Sequence, residues 1–144
     1  MTAATAGGET IHASCVAWQG RAVLILGPAG SGKSALALQL MAMGCALVAD
    51  DRTVLRREGA ELVASAPERL RGRIEARGLG ILGAEAVAAA RVVLAADLGE
   101  VERARLPAER RRDLLGLAVP LVHRVESAHF PAAVLQYLKG GRQE

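Results

Sequence analysis

The segment GPAGSGKS at 27–34 constrains the fold of this chain more than any other feature. It fits the pattern G-x-x-x-x-G-K-[ST], with the apolar run AVLIL before it and the stretch SALALQLMAMG after it. The first flank is typical of a buried strand, and the second of a helix that ends at Gly44. The backbone N–H groups of such a loop form an anion nest, which the dipole of the following helix reinforces. A glycine-rich turn that matched by chance would not explain these flanks.

Lysine usage supports a phosphate-binding role for the loop. The chain has sixteen arginines but only two lysines, Lys33 and Lys139. Arginine is a flat fork, whereas lysine is a compact charge on a flexible stem that reaches between phosphate oxygens. We therefore expect Lys33 to contact the β and γ phosphates of ATP, and the Ser34 hydroxyl to reach Mg²⁺. The expected nucleotide-binding residues are Gly27, Pro28, Ala29, Gly30, Ser31, Gly32, Lys33 and Ser34.

Length and composition indicate one small domain. A chain of 144 residues is typical of a single domain, which we place at 9–144 behind a flexible tail at 1–8. Its only aromatic residues are Trp18, Phe130 and Tyr137, so the core is aliphatic and a nucleotide base would meet apolar groups or the backbone. So few rings argue against a platform for single-stranded nucleic acid.

The remaining composition favours a cytoplasmic protein. No apolar run approaches the roughly 20 residues that span a bilayer, and the N-terminus lacks the features of a signal peptide. Cys15 and Cys45 have no metal-site spacing, and unpaired buried thiols suit a reducing compartment. Arginines concentrate at 52–77 and 103–112, where they form either solvated surface or a site that attracts phosphates or an acidic partner. We expect neither a nucleic acid nor a membrane partner.

The alternation of short strands and helices predicts an α/β P-loop domain whose mixed sheet has antiparallel strands at one edge. Hairpins are expected from 9–18 with 21–27, and from 53–58 with 61–65. Glycines at 78, 80 and 83 disfavour a helix over 74–82. Further strands are expected at 45–49, 91–97 and 120–125, a short turn or helix after Pro67, and helices at 107–115 and 131–139.

The sequence ALVADD at 46–51 predicts carboxylates beside the loop. Ligands bind at the carboxyl ends of strands in open α/β sheets, so Asp50 and Asp51 are expected near Lys33 and Ser34. One carboxylate would orient Mg²⁺ and the other would accept a proton from a hydroxyl. The alternative is an Asx-type turn that closes the strand. Taken alone, His12 fits a core or edge histidine, and Glu75 with Arg77 fits a surface ion pair.

Four segments in order resemble the catalytic domain of the HPr kinase/phosphorylase family. They are His12 in TIHASCVAW, the loop GPAGSGKS, the cluster VADDR at 48–52, and IEARGLGIL at 74–82, which is similar to the family signature I-E-I-R-G-L-G-I-I. Members of this bacterial family use ATP and Mg²⁺ to phosphorylate a serine of HPr, a phosphocarrier of the sugar phosphotransferase system. The resemblance covers about 9–100, and it implies a protein serine kinase that acts on an HPr-like carrier.

The resemblance also implies roles for individual residues. Lys33 and the loop backbone would hold the phosphates, and Ser34 and Glu75 would bind Mg²⁺. Asp50 would be the general base, while Asp51 would support either the metal or the histidine. His12 would assist proton transfer or orient Asp50. A catalytic arginine beyond the signature would correspond to Arg105 in VERARLP.

Two departures from the family pattern limit what the resemblance implies. Longer members have an N-terminal domain, so we expect this chain to be a short form that consists of the catalytic domain. Longer members also have a P-V-R-P-G-R-N-like stretch tied to dephosphorylation, where this chain has PLVHRVESAHFPAAV at 120–134. Kinase activity is therefore expected more than phosphorylase activity. The family forms hexamers, and the oligomeric state of this chain stays open.

Two other functions fit the phosphate loop. A small-molecule kinase of the nucleoside or shikimate type fits the loop and the size, but it explains neither His12 nor the signature around Gly78. A nucleotide sensor without turnover would use the arginine-rich segments to contact a partner. It ranks last because Lys33, Ser34, Asp50 and Glu75 are all present.

Overall fold

The structure, a computed structural model, describes residues 8–144. The predicted tail at 1–8 lies outside the described residues except for Gly8, which begins the first strand. The helices are α1 (Lys33–Ala42) and α2 (Phe130–Gly140), and Glu68–Leu70 forms a 3₁₀ turn. The strands are β1 (Gly8–His12), β2 (Ser14–Trp18), β3 (Arg21–Leu26), β4 (Ala46–Ala49), β5 (Arg52–Glu58), β6 (Glu61–Ser65), β7 (Arg73–Ala76), β8 (Gly80–Gly83), β9 (Ala90–Val101), β10 (Arg110–Leu114) and β11 (Leu117–Arg124).

Nine of the strands formed by residues 8–144 make one curled, mixed sheet. The continuous order is β1-β5-β6-β9-β3-β2-β4, and β10 and β11 join through β9. The long strand β9 pairs with β6 at its start and with β11 at its end, which lets the sheet branch. The pairings of β9 with β3 and β11 are parallel, while the other pairings in the sheet are antiparallel. The α/β fold with hairpins in a mixed sheet is confirmed.

Strand β3 leads into the glycine-rich loop and is buried on both faces. Its residues alternate between two apolar clusters: Val23 and Ile25 face the cluster that includes α1 and α2, and Ala22 and Leu24 face the other. A strand covered on both sides reads as a continuous apolar run, which is why 22–26 contains only aliphatic residues. This packing fixes the start of the loop. Neither helix of the described chain is long and apolar enough to cross a membrane.

The segment 9–18 is two strands rather than the single one predicted. The break is at Ala13, whose N–H donates to the carbonyl of Asp51 at 3.1 Å. Before the break β1 pairs with β5, and after it β2 pairs with β3 in the expected hairpin. The hydrogen bond of Ala13 therefore holds the chain after His12 beside the two aspartates that follow β4.

The predicted helix at 107–115 is wrong, because residues 110–114 form strand β10 antiparallel to β11. Leu115 and Gly116 both have positive φ, 53° and 83°, which is the geometry of a tight two-residue hairpin turn. The Gly116 N–H also donates to Asp113 Oδ1 at 3.0 Å. This turn and the long-range pairing with β11 override the helical preference of the arginine-rich segment. The remaining predicted strands and hairpins, the turn after Pro67 and the last helix are confirmed within a few residues of their bounds.

Both cysteines are free and buried, as predicted. Burial raises the pKa of the Cys15 thiol. Burial also raises the pKa of the Cys45 thiol, and the positive charge of Lys139 partly offsets this increase. Because the thiolate is the nucleophile, we expect Cys15 to resist alkylation by iodoacetamide at about pH 8 in the native protein. Mass spectrometry should find it modified only after unfolding. Equal labelling rates in native and unfolded protein would contradict the described packing.

Candidate active site

The glycine-rich loop connects β3 to α1 and has the backbone geometry of an anion nest. Gly27 and Gly32 have φ angles of 144° and 99°, which side-chain-bearing residues rarely adopt. A Cβ on Gly27 would also lie only 2.5 Å from Ser31 Oγ. Helix α1 then begins at Lys33, so its first N–H groups and its positive dipole end are directed at the loop.

Lys33 folds over its own loop. Its Nζ donates to the carbonyl oxygens of Gly27 at 2.8 Å and Pro28 at 3.2 Å. The ammonium group therefore lies at the edge of the nest, held by two neutral acceptors. An anionic phosphate would compete well with these carbonyls, since hydrogen bonds between charged groups are stronger than those to neutral acceptors.

Asp50 is buried, and its carboxylate joins three separate elements. Oδ1 accepts hydrogen bonds from Ser34 Oγ at 2.6 Å and Ser14 Oγ at 2.9 Å, and Oδ2 accepts one from the Glu75 backbone N–H at 2.9 Å. Only 8% of Asp50 is exposed. The carboxylate thus ties the start of α1 to β2 and β7. These three elements are distant in sequence, and the hydrogen bonds to Asp50 hold them together at the site.

Asp51 differs from its neighbour. It has a positive φ of 67°, an uncommon conformation for a residue other than glycine, and it is exposed. Its backbone is anchored: the N–H donates to Ser14 Oγ at 3.2 Å, and the carbonyl accepts from Ala13. Its carboxylate has no hydrogen-bond or ion-pair partner among the described residues. The turn therefore presents a free carboxylate.

Asp51 lines a cleft of about 510 Å³ together with Lys33, Ser34 and Glu75. We call this the catalytic cleft; its other lining residues are Ala29, Gly30, Gly32, Ala35, Leu38, Ala76 and Arg77. Glu75 and Arg77 are not paired with each other in the described part of the chain, so the surface ion-pair interpretation has no support. The loop, the two aspartates and the signature segment therefore lie together, as predicted, with Asp51 in the cleft lining and Asp50 hydrogen-bonded to Ser34 and Glu75.

The donor set at this cleft suits a magnesium ion that is also bound by phosphate oxygens and water. Residues 8–144 contain no group of three or more His, Cys, Asp and Glu side chains arranged to hold a metal. Mg²⁺ in nucleotide sites takes one or two carboxylates and fills its remaining positions with phosphate oxygens and water. The Ser34 hydroxyl, which contacts Asp50, and the cleft-lining Glu75 provide ligands of that kind.

Three predicted catalytic residues lie outside the lining of the catalytic cleft: Asp50, which hydrogen-bonds to the lining residues Ser34 and Glu75, and also His12 and Arg105. His12 is exposed at the end of β1, opposite Arg52, and precedes the residue that bonds Asp51. Arg105 is exposed in the loop between β9 and β10. Their catalytic roles remain predictions.

The arginines of 110–112 form ion pairs instead of a free basic patch. Arg110 pairs with Glu102 at 3.1 Å, and Arg112 pairs with Asp97 at 2.8 Å. The hydrogen bond from Arg110 holds the pKa of the Glu102 carboxyl below its usual value. Arg111 pairs with Glu109. These charges are largely neutralised locally, which favours the solvated-surface interpretation, although the surface is a strand and not a helix.

Arg124 is a site residue that sequence reasoning missed. It ends β11, and its Nη1 donates to the Ser31 carbonyl at 3.4 Å, so it contacts the phosphate loop from the side opposite Asp50. No motif marks this arginine. The signal available was its position at the carboxyl end of a parallel strand, where open α/β sheets bind ligands.

A family model described as "HPr Serine kinase C-terminal domain" matches residues 3–98, two thirds of the sequence. The chain belongs to this family. The match contains the phosphate loop, both aspartates and the signature segment, so the resemblance carried by those motifs is confirmed.

Curated relatives and a solved structure agree with the family assignment. An HPr kinase/phosphorylase of Chloroherpeton thalassium is 39% identical over 124 residues, covering 77% of this chain and 36% of its own length. One from Caldanaerobacter subterraneus subsp. tengcongensis is 50% identical over 74 residues, covering 51% of this chain and 24% of its own. The chain thus spans only a quarter to about a third of these relatives.

The fold match is broader than the sequence matches. The structure of the Hpr(Ser) kinase/phosphatase from Coxiella burnetii superposes with a TM-score of 0.76 at 27% identity. It covers 91% of this chain and 94% of that chain. Since the family match in sequence ends at residue 98, a coverage of 91% means that the shared fold extends beyond that residue.

Proposed function

We propose that this chain is an ATP- and Mg²⁺-dependent protein serine kinase that phosphorylates an HPr-like phosphocarrier. The observation that carries the proposal is that the Asp51 carboxylate, which has no partner among residues 8–144, lines the same cleft as Lys33, Ser34 and Glu75. Phosphoryl transfer needs positioned phosphates, charge stabilisation and a proton acceptor for the hydroxyl, and this cleft provides one group for each. The names of the relatives, HPr kinase/phosphorylase, support the choice of acceptor.

The loop would hold the phosphates of ATP. Its inward N–H groups and the start of α1 bind anionic oxygens, and Lys33 exchanges its carbonyl partners at Gly27 and Pro28 for the β and γ phosphates. Both present contacts of Lys33 are made by its side chain, so it can exchange them by side-chain rotation.

Ser34 and Glu75 would hold Mg²⁺, which supplies positive charge that offsets the charge of the phosphate oxygens during transfer. Asp50 acts through Ser34: its 2.6 Å hydrogen bond fixes the orientation of that hydroxyl. Its contact with the Glu75 backbone N–H places the other ligand of the pair. One buried carboxylate thereby positions both ligands.

The geometry favours Asp51, and not Asp50, as the general base. The Asp50 oxygens accept three hydrogen bonds and are mostly buried, whereas Asp51 is exposed and its carboxylate oxygens have no partner within residues 8–144. An Asp51 oxygen accepts the proton of the acceptor serine. The serine oxygen then bonds to the γ phosphorus, the bond from that phosphorus to the β–γ bridging oxygen breaks, and ADP leaves with the bridging oxygen. The family resemblance implied that Asp50 is the general base and that Asp51 supports the metal or the histidine. Here Asp51 is the base, and Asp50 positions the metal ligands.

Phosphorylase activity is not part of the proposal. The segment 120–134, which replaces the P-V-R-P-G-R-N-like stretch, forms the end of β11, a short turn and the start of α2. It contributes no residue to the catalytic cleft.

The test is to incubate the protein with Mg²⁺ and ATP labelled on the γ phosphate, with a purified HPr-like carrier, with a metabolite extract, or with buffer alone. We expect label on the carrier at a rate far above its release into buffer. Label on a metabolite and none on any carrier would identify a small-molecule kinase. Bound ATP with no transfer would identify a nucleotide sensor.

A further inference from the structure

The large sheet has a gap at the end opposite the phosphate loop. Strand β9 pairs with β6 through Ala90 and Arg91, and with β11 only from Ala95 onward. Both partners lie on the same edge of β9, because β3 occupies the other edge. Residues 92–94 therefore have no partner on that edge among the strands of the described chain. A space of about 390 Å³ remains between β6 and β11, where β9 and β11 begin.

We call this space the sheet notch. Its size and lining are typical of a small-molecule site, which ranges over roughly 300–1,000 Å³ and combines apolar walls with a few polar groups. Buried side chains form much of the wall, so an apolar group placed there leaves water. The apolar walls are provided by Leu62, Val92, Leu117, Val119 and Pro120.

Two arginines and one glutamate are the charged side chains that line the sheet notch. Arg21 and Arg91 are register partners in the parallel strands β3 and β9, whose backbones are about 4.8 Å apart, so two positive charges begin side by side. Glu61 pairs with Arg91 at 3.2 Å. Arg21 has no carboxylate partner among residues 8–144. The lining therefore keeps one positive charge in excess.

The two guanidinium groups are available to an anion in different ways. Arg21 Nε donates to the carbonyl of Leu138 at 2.6 Å, which fixes the side chain at the notch and leaves its terminal N–H groups without a partner in the described chain. The side chains of Arg91 and Glu61 are 45% and 54% exposed, and such exposed ion pairs add little stability. A ligand carboxylate can therefore compete with Glu61, since a guanidinium fork matches carboxylate geometry.

We propose that the sheet notch binds a small monocarboxylic acid with an apolar body. The carboxylate lies between Arg21 and Arg91, and the hydrocarbon part lies against the apolar walls. A single negative charge balances the single excess positive charge of the lining, and a phosphate ion has no part that would cover the walls. Strand β3 has six residues, which places the notch roughly 17 Å from the phosphate loop. The ligand is thus separate from the nucleotide, and the inference does not rest on the proposed function.

The test is a titration of the ¹⁵N-labelled full chain with hexanoate, followed through the amide chemical shifts by NMR, which measures weak binding. Hexanamide has the same shape without the charge, and inorganic phosphate has charge without an apolar body. The same spectra show whether each variant below is folded.

The variants remove one charge at a time. Arg21→Gln and Arg91→Gln remove the proposed carboxylate ligands, and Glu61→Gln removes the competing carboxylate. The matched controls are Arg56→Gln and Glu58→Gln, because these two residues form an ion pair of similar exposure, 40% and 52%, outside the notch lining.

Hexanoate should bind with a Kd of at most about 5 mM, and the saturating shifts should concentrate at 60–62, 91–93 and 117–119. Hexanamide and phosphate should bind at least about fivefold more weakly, and each of the two arginine variants at the notch should weaken hexanoate binding by a similar factor. Glu61→Gln should strengthen hexanoate binding at least about threefold, because it frees Arg91. The controls should change the Kd by less than about twofold, since salt screens charges outside the notch.

Three results would each overturn the inference. They are the absence of saturable hexanoate shifts at these amides, an affinity for hexanamide or phosphate equal to that for hexanoate, and an unchanged Kd of hexanoate in both Arg21→Gln and Arg91→Gln. None of these results bears on the kinase assignment, which is tested at the other end of the sheet.

Discussion

Replacing Lys33 with arginine is expected to reduce phosphoryl transfer by at least about 100-fold, the usual effect of removing one preorganised charge-stabilising group. The Lys33 ammonium fits beside the Gly27 and Pro28 carbonyls, where its two contacts are 2.8 and 3.2 Å. The wider, planar guanidinium cannot take that place and reach between the β and γ phosphates. Initial rates of γ-phosphate transfer to the carrier measure the effect.

The only other lysine in the sequence provides the control. The Nζ of Lys139 lies 4.6 Å from the centre of the Trp18 ring, a contact that arginine also makes well. Lys139→Arg should therefore transfer phosphate at the wild-type rate. Equal rates for Lys33→Arg and wild type would show that lysine is not needed at the loop.

Asp51→Asn is expected to lower kcat by roughly 10²–10⁴-fold, the range for loss of a general base, with little change in thermal stability or in the Kd of MgATP. The asparagine keeps the shape of the side chain and tolerates the positive φ of 67°. It lacks the basicity to accept the serine proton. Steady-state kinetics, calorimetry and thermal unfolding measure the three quantities.

Asp50→Asn is the matched comparison, and it should behave differently. Its carboxylate accepts three hydrogen bonds in a buried position, so we expect a loss of unfolding free energy of about 1–3 kcal/mol and weaker MgATP binding. Full transfer activity in Asp51→Asn, with activity lost in a stably folded Asp50→Asn, would return the base to Asp50.

Local sequence patterns predicted the centre of this site well. The loop, its flanking strand and helix, and the two aspartates are set by residues within one continuous segment, 22–51, where periodicity and glycine placement act over short distances. The glycines at 78 and 80, which disfavoured a helix in this segment, both have positive φ in the hairpin of β7 and β8.

The parts that were missed depend on contacts between distant residues. The break at Ala13 follows from a hydrogen bond to Asp51, and β10 follows from pairing with β11. The different environments of Asp50 and Asp51 arise from Ser14, Ser34 and Glu75, which no pattern at 46–51 shows. The cavity beside Ser31 and Arg124 likewise forms only when α1, β11 and α2 come together.

The most direct test of the account is the intact mass and modified residue of an HPr-like carrier after incubation with this protein and MgATP. We predict that the carrier gains one phosphoryl group on a serine, and that the gain disappears with Lys33→Arg but persists with Lys139→Arg. A carrier of unchanged mass, in the presence of protein that binds MgATP, would contradict the assignment of this cleft as a protein serine kinase site.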